Sequence, residues 1–339
     1  MKRILTLALA SALALPALAH AEKGSPLWLR HQQISPDGSQ IAFCYKGDIY
    51  TVPTAGGQAL RLTSNAAYDG TPIWSPDSRS LAFSSDREGS KDVYIVKADG
   101  SGLRRLTYSS EKEVPVAFLD GSTLLFQSYV MPDVKDGMYP WDWFVQTYSL
   151  DLSKTIARPK LYGAYPMLMP SLRGGEILYT DVKGYEDIWR KHAVSPVTRD
   201  IWLRSKDGKH TKLTTFGGED RNAVWDSKGG FYYLSEREGS FNVYHRDAAT
   251  AAAADKKITS FTKNPVRFLS IASNGTLCYG FDGEIYTQTP GGMQCLILLS
   301  GYRDASEGLT FAVDDFTFSL DGLRTHGHRT HDHEDQGDE

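Results

Sequence analysis

TPIWSPDSRSLAFSSDREGSKDVYIVKADGSGLRRLT, residues Thr71 to Thr107, is one complete copy of a unit that recurs along this chain. Its apolar-rich runs are Ile73-Trp74, Leu81-Ala82-Phe83, Val93-Tyr94-Ile95-Val96 and Leu103 to Leu106, each set off by a cluster of Pro, Asp, Ser or Gly. That pattern predicts four short strands joined by tight turns, with no helical period in either half. The first turn, Ser75-Pro76-Asp77-Ser78, has Pro where φ must lie near −65° and Asp and Ser side chains able to bond the turn backbone. Its equivalent Ser35-Pro36-Asp37-Gly38 ends in a glycine, suited to the left-handed position of a bulged hairpin.

Aligned on that turn, the chain returns to the same place at Gly38, Ser78, Gly121, Gly174, Gly229 and Gly275, at spacings of 40, 43, 53, 55 and 46. A polar residue, a β-branched residue and an aromatic form a second marker: Asp48-Ile49-Tyr50, Asp92-Val93-Tyr94, Asp200-Ile201-Trp202, Asn242-Val243-Tyr244 and Glu284-Ile285-Tyr286, with only Thr147-Tyr148 in the third copy. A third marker closes the copies: Arg61-Leu62-Thr63, Arg105-Leu106-Thr107, Lys160-Leu161, Lys212-Leu213-Thr214 and Lys257-Ile258-Thr259. A period in the forties with four strands per copy is the mark of a β-propeller of the WD40-like kind, because a single sheet buries both faces only when neighbours stack on it. The fold class expected is therefore all-β: a six-bladed β-propeller of four-stranded antiparallel blades. The markers are expected to serve the scaffold, the closing Lys or Arg guarding the outer edge of each blade against pairing with other chains.

Residues 1–21 read as a signal peptide: Lys2 and Arg3, an apolar run from Ile4 to Leu18, and a cleavage site after Ala21. The run is short for a membrane span and no lipid-anchor Cys follows it, so a periplasmic or secreted protein without a membrane span is expected. Cleavage of 21 residues from 339 leaves 318, enough for one large all-β domain, and losing Lys2 and Arg3 moves the formal net charge from −4 to −6. A mildly acidic chain with interspersed charges speaks against a nucleic-acid partner. Cys44, Cys278 and Cys295 are scattered, and Cys44 and Cys278 fall at opposite phases of their strands, so buried thiols are expected rather than a disulfide between them. The propeller is assigned to residues 22–300 and an irregular tail to 301–339, where His326, His328, His331 and His333 stand in an acidic segment that cannot form a core. No cofactor and no resident metal are expected.

Two copies carry insertions. Between Phe126 and Tyr148 lie Tyr129, Met131, Met138, Tyr139, Trp141, Trp143 and Phe144, which read as a satellite cluster over the blade edge or as an aromatic platform for a ligand or peptide. The fourth copy adds Tyr185-Glu186-Asp187-Ile188-Trp189-Arg190-Lys191-His192 ahead of Arg199 and Asp200, and Glu219-Asp220-Arg221 links it to the fifth. A peptide presents a positive amino end, a negative carboxylate and apolar side chains between, so a receptor needs charges of both signs beside apolar surface. Arg190, Lys191, His192, Arg199, Asp200, Glu219, Asp220 and Arg221 meet that description, with Arg190 and Arg199 suited to a carboxylate and Glu219 and Asp220 to an amino end. The competing reading is that these charges pair with one another and lock blades four and five.

The runs EDIWRKH (Glu186 to His192), VTRDIW (Val197 to Trp202), LTTFGGEDRNAVW (Leu213 to Trp225) and YLSEREGSFNVY (Tyr233 to Tyr244) closely resemble the amino-terminal propeller of tricorn-type serine peptidases of the bacterial periplasmic kind. The resemblance spans about Pro26 to Gly292; the SPDG turn is shared more widely, with TolB-like and dipeptidyl-peptidase propellers. It implies a non-catalytic domain that filters or channels peptides for a peptidase core of the carboxy-terminal-processing class. No catalytic residue can be carried over, because the sequence ends before such a core: there is no G-x-S-x-G elbow, and the S-x-x-K at Ser109 to Lys112 sits in a polar turn. The expectation is an exported propeller that binds or gates peptides, cut short of its catalytic parent; the alternative is a TolB-like scaffold for a protein partner.

Overall fold

The computed structural model describes residues 28–129, 145–184, 195, 197–305 and the strand backbone of 310–312. The signal segment, the aromatic insertion from Met131 to Phe144, the run from Tyr185 to His192 and the histidine-rich tail lie outside the described residues. Blade one is β1 (Arg30–Ile34), β2 (Gln40–Tyr45), β3 (Asp48–Pro53) and β4 (Gly57–Arg61); blade two is β5 (Asp69–Trp74), β6 (Ser80–Glu88), β7 (Ser90–Lys97) and β8 (Arg104–Arg105). Blade three is β9 (Glu113–Phe118), β10 (Thr123–Ser128), β11 (Gln146–Asp151) and β12 (Lys160–Gly163); blade four is β13 (Leu168–Arg173), β14 (Glu176–Thr180), β15 (Ile201–Arg204) and β16 (His210–Lys212). Blade five is β17 (Asp220–Trp225), β18 (Phe231–Ser235), β19 (Asn242–Arg246) and β20 (Asp255–Lys257); blade six is β21 (Arg267–Ile271), β22 (Leu277–Phe281), β23 (Glu284–Gln288) and β24 (Gln294–Leu296). Each blade is an antiparallel meander, and the inner strands pack in ring order β1, β5, β9, β13, β17, β21 and back to β1. No helix occurs among the described residues, and the Ala-rich segment 248–254 is a turn.

The turn between first and second strands is built as its residues suggest. Ser78 N–H donates to the Ser75 carbonyl at 2.9 Å, the Ser75 hydroxyl donates to Asp77 at 2.6 Å, and Asp77 accepts from Arg79 N–H at 3.1 Å. The fourth position is left-handed in both copies, φ 76° at Gly38 and 60° at Ser78. A second left-handed position had no visible signal. Five inner strands carry a β-bulge against the second strand, with φ between 48° and 57° at His31, Thr71, Met169, Asn222 and Phe268. Blade three keeps the bulge next to Pro115, whose ring forbids positive φ, and takes no left-handed residue there.

The second and third markers prove to be one device. In blade one Asp48, heading the third strand, holds Arg61 of the fourth at 2.7 Å, and Thr63 Oγ1 accepts from Ile49 N–H at 3.0 Å. Blade two repeats it with Asp92–Arg105 at 2.7 Å and Val93 N–H to Thr107 at 2.8 Å, and blade four with Asp200–Lys212 at 2.7 Å and Ile201 N–H to Thr214 at 3.0 Å. Blade five keeps the threonine (Val243 N–H to Thr259, 2.9 Å) but has Asn242, which accepts from Thr259 Oγ1, and Lys257 turns to Glu238 instead. The closing cation is thus engaged with a neighbouring element, where the sequence suggested edge protection. Blades three and six lack the device: Leu161 stands opposite Tyr148 and Leu296 opposite Tyr286.

Each pair of neighbouring blades encloses one hydrophobic layer, and the layers are unequal. Among the described residues, the one between blades three and four holds three buried residues, Met167, Ile177 and Tyr179, where every other layer holds eight or more. Cys44 and Cys278 are free buried thiols in different layers, Cys44 between blades one and two and Cys278 between blades six and one. Inner strands are also tied across blades: Trp74 Nε1 donates to the Gln33 carbonyl at 2.9 Å and Trp225 Nε1 to the Ser171 carbonyl at 3.0 Å.

The tail assignment needs a correction at its start. β25 (Leu299–Asp304) runs parallel to β4 on the outer edge of blade one, and β26 (Thr310–Ala312) pairs with β25. Gly57 N–H donates to the Leu298 carbonyl at 2.9 Å, Ala305 N–H to the Arg61 carbonyl at 2.9 Å, and Asp304 reaches Arg61 at 3.4 Å. The reason is an available edge: β4 presents unpaired backbone groups beside the point where the chain leaves β24. The four blade-one strands and the four of blade six are each continuous in sequence, so the ring closes without an exchanged strand and the segment after β24 clasps the rim from outside.

At the junction of blades two and three, Glu113 is buried against Asp92, and burial pushes its carboxyl from 4.5 up to about 7. The folded protein then keeps a proton that the unfolded chain has released, so Glu113 makes stability fall as pH rises between about 4.5 and 7 and adds no slope above. A shift of that size is on the order of 3 kcal/mol. Urea midpoints at pH 5 and 7.5 should therefore differ less in Glu113→Gln than in the parent. An unaltered difference would show that Glu113 does not carry the proton.

Candidate functional site

Five of the eight charged residues singled out in the sequence are described, and every one sits in a defined contact; Arg190, Lys191 and His192 lie outside the described residues. Asp200 belongs to the third-strand device, held by Lys212 and by Lys183, whose ammonium also bonds the Thr198 carbonyl. Asp220 begins the inner strand of blade five and accepts Arg237 at 3.3 Å. Blade two holds the same arrangement, Asp69 with Arg87 at 2.8 Å, and in both copies the arginine Nε donates to the serine two residues earlier at 2.9 Å, Ser235 and Ser85. The repeat follows from the sequence, since SDREGS (Ser85 to Ser90) recurs as SEREGS (Ser235 to Ser240). Burial pushes the Asp220 carboxyl up to about 6 despite Arg237.

Arg199, Glu219 and Arg221 have no such counterpart. Both guanidinium groups approach Glu219 Oε1 at 3.2 Å, and all three side chains are buried. Glu219 N–H in turn donates to Glu236 at 2.7 Å, and Arg221 lies 4.1 Å from the Phe241 ring centre. Burial, only partly offset by Glu219, lowers the Arg221 guanidinium to about 10. The group joins the segment before β15 to the connection entering β17, which is the interlock of blades four and five weighed from the sequence. Asn222 extends the lock to blade six, its amide donating to the Leu269 carbonyl at 2.9 Å and accepting from Leu269 N–H at 2.8 Å.

A neighbouring cleft was not singled out in the sequence. Tyr165, Tyr179, Asp181, Trp202 and His210 line a cavity of about 270 Å³ beside the thin layer between blades three and four. Tyr165 stands edge-on to His210 at 4.9 Å, the Tyr179 hydroxyl pairs with His210 Nδ1 at 2.9 Å, and Trp202 Nε1 donates to Asp181 Oδ2 at 2.9 Å. Asp181 Oδ1 accepts from Asp200 N–H at 2.7 Å, and burial raises its carboxyl above the ordinary value. His210 is shifted the other way, lowered by burial and by Arg204, and so is neutral at pH 7. The available signal was Trp202, a tryptophan where the equivalent positions in the other five blades carry Tyr50, Tyr94, Tyr148, Tyr244 and Tyr286.

Topology gathers these features on one side. The chain runs from second to third strands, and from each blade to the next, on the ring face opposite the Ser75 and Gly174 turns. Ser128 pairs with Gln146 and Thr180 with Ile201, so both long segments leave and return at that face. Among the described residues no group of three or more His, Cys, Asp or Glu side chains is placed to hold a metal, and no helix is long and apolar enough to cross a membrane.

A closed ring of six four-stranded antiparallel meanders defines a six-bladed β-propeller. Residues 26–293 match the tricorn protease N-terminal β-propeller domain, and the chain belongs to that family. Tricorn protease homolog 1 of Streptomyces coelicolor is 25% identical over 228 residues, 66% of this chain and 20% of that protein. The crystal structure of the tricorn protease overlays with a TM-score of 0.67 at 19% identity, covering 80% of this chain and 26% of that one. TolB from Acinetobacter baumannii gives 0.54 at 15% identity, covering 78% and 61%. These likenesses to solved structures concern the fold, and the chain spans about a fifth of the curated tricorn relative's length.

Glu219 is the carboxylate that both buried guanidinium groups share. Glu219→Gln should cost about 3–5 kcal/mol by leaving them without it, a fall in Tm on the order of 10 °C, with peptide affinity unchanged. An unaltered Tm with lost affinity would return the cluster to the binding surface.

Proposed function

We propose that this chain is the non-catalytic propeller of an exported, tricorn-type peptidase, binding peptides on its connection face and gating their access to the peptidase core of a longer parent chain. The observation that carries the reading is the family match over residues 26–293, which runs from before β1 to the end of the turn that precedes β24, the last strand of blade six. The connection face supports it, since the aromatic cleft and the exposed apolar side chains of Met169 and Val182 lie in blade four or at its seam with blade three. A cleft with a few convergent polar groups on a rigid scaffold is the ordinary form of a recognition site. The free-standing scaffold of the TolB-like kind differs in what it should bind, a folded partner rather than an extended peptide.

Fluorescence anisotropy with labelled unstructured peptides, followed by mass spectrometry of the same mixtures, tests the proposal. Saturable binding with intact peptides is expected. Turnover that is abolished by changing a single Ser would overturn the non-catalytic assignment, and failure of every peptide to bind would favour the scaffold reading.

A further inference from the structure

We propose that the cleft between blades three and four is a subsite for a basic side chain of a bound peptide, walled by Tyr165, Tyr179 and Trp202 and terminated by the Asp181 carboxylate. The inference rests on the peptide-binding reading and adds to it the chemistry of one side chain.

Two observations select a cation. The walls are aromatic, and a ring presents the negative face of its quadrupole to what lies above it, which attracts ammonium and guanidinium groups. Asp181 lies among those rings with each oxygen accepting one hydrogen bond, from Asp200 N–H at 2.7 Å and from Trp202 Nε1 at 2.9 Å, which leaves a further lone pair on each. The bond from Trp202 also fixes the indole against the carboxylate, so wall and floor are positioned together.

Two positive charges border the cleft, and each also has other partners. Lys183 comes within 3.8 Å of Asp181, but its ammonium is held by the Asp200 carboxylate and the Thr198 carbonyl. Arg204 lies over the Tyr162 ring at 5.4 Å and hydrogen-bonds Tyr165 at the cleft wall. His210, hydrogen-bonded to the Tyr179 hydroxyl, carries no charge at neutral pH and so does not repel a cation.

Size and place fit the same occupant. At about 270 Å³ the cavity falls below the roughly 300–1,000 Å³ of a site for a whole small molecule, and suits one long side chain. It adjoins the buried cluster of Met167, Ile177 and Tyr179, with Tyr179 shared between cluster and cleft. An extended peptide lying on the connection face would present side chains downward at that seam.

Isothermal titration of the whole chain with acetyl-Gly-Lys-Gly-amide, and with its norleucine and glutamate counterparts, reads the selectivity directly. The lysine peptide should bind at least about 10-fold more tightly than the norleucine one, in keeping with a desolvated cation–π contact joined to a carboxylate. Asp181→Asn should reduce that preference to near unity, and Tyr165→Leu, which spares the Asp181 hydrogen bonds, should reduce it several-fold with Tm close to the parent. Equal affinity for norleucine, no binding of the lysine peptide, or a preference that survives both substitutions would overturn the subsite. Long unstructured peptides whose binding ignores both variants would leave the peptide-binding reading standing without this subsite. Lysine-peptide binding that depends on Asp181, with no long peptide bound, would keep the subsite and remove the reading it was built on.

Discussion

A polar residue at the head of the third strand, answered by a threonine and often a cation at the end of the fourth, is the contact on which the blades depend. The first third-strand amide after that residue points toward the fourth strand, where the short closing strand has no carbonyl to offer it. Left unpaired and buried, such an N–H costs about 1–3 kcal/mol, and the threonine hydroxyl removes that cost in blades one, two, four and five. Arg61, Arg105 and Lys212 then compensate the carboxylates that burial would otherwise make expensive. In those four blades the device ends the sheet at a defined register.

Where the device is missing, the ring changes character. Blade six has Glu284 with Leu296 in the cation's place, and burial raises the Glu284 carboxyl above its ordinary value. Its neighbour across the closure, blade one, gains β25 on its rim, with Asp304 reaching the same Arg61 that serves Asp48. Blade three also lacks the device and the left-handed bulge residue, and among the described residues the layer it forms with blade four has the fewest buried apolar side chains. The aromatic cleft opens at that seam.

The fold was legible in the sequence because its signals are local. The Ser-Pro-Asp turn, the polar-β-branched-aromatic triplet and the basic-aliphatic-threonine triplet each lie within a few residues, and their order repeats. The family-specific runs also placed Arg199, Glu219 and Arg221 in one region. Their mutual pairing was open, since two arginines on one glutamate 20 and 2 residues away cannot be told from a receptor by composition. Asp220 could have been placed with the scaffold by noticing that SEREGS repeats SDREGS, with Asp69 in the matching position. The cleft was not legible: Tyr165, Tyr179, Asp181, Trp202 and His210 come from four separate segments, and only the packing of blade four against blade three assembles them. The strand at Leu299–Asp304 was missed because a parallel pairing onto a pre-existing edge needs no repeat signature of its own.

Native-state amide hydrogen exchange at Ile201, with and without Thr214→Val, tests the blade device most directly. If the Thr214 hydroxyl satisfies that amide, Ile201 exchanges only through global unfolding in the parent chain, at the level of the innermost core amides. The Val variant should then release Ile201 by orders of magnitude more than the change in global stability accounts for, while the equivalent amides Ile49, Val93 and Val243 keep their protection. Exchange of Ile201 at loop rates in the parent, or the same protection in both proteins, would contradict the account.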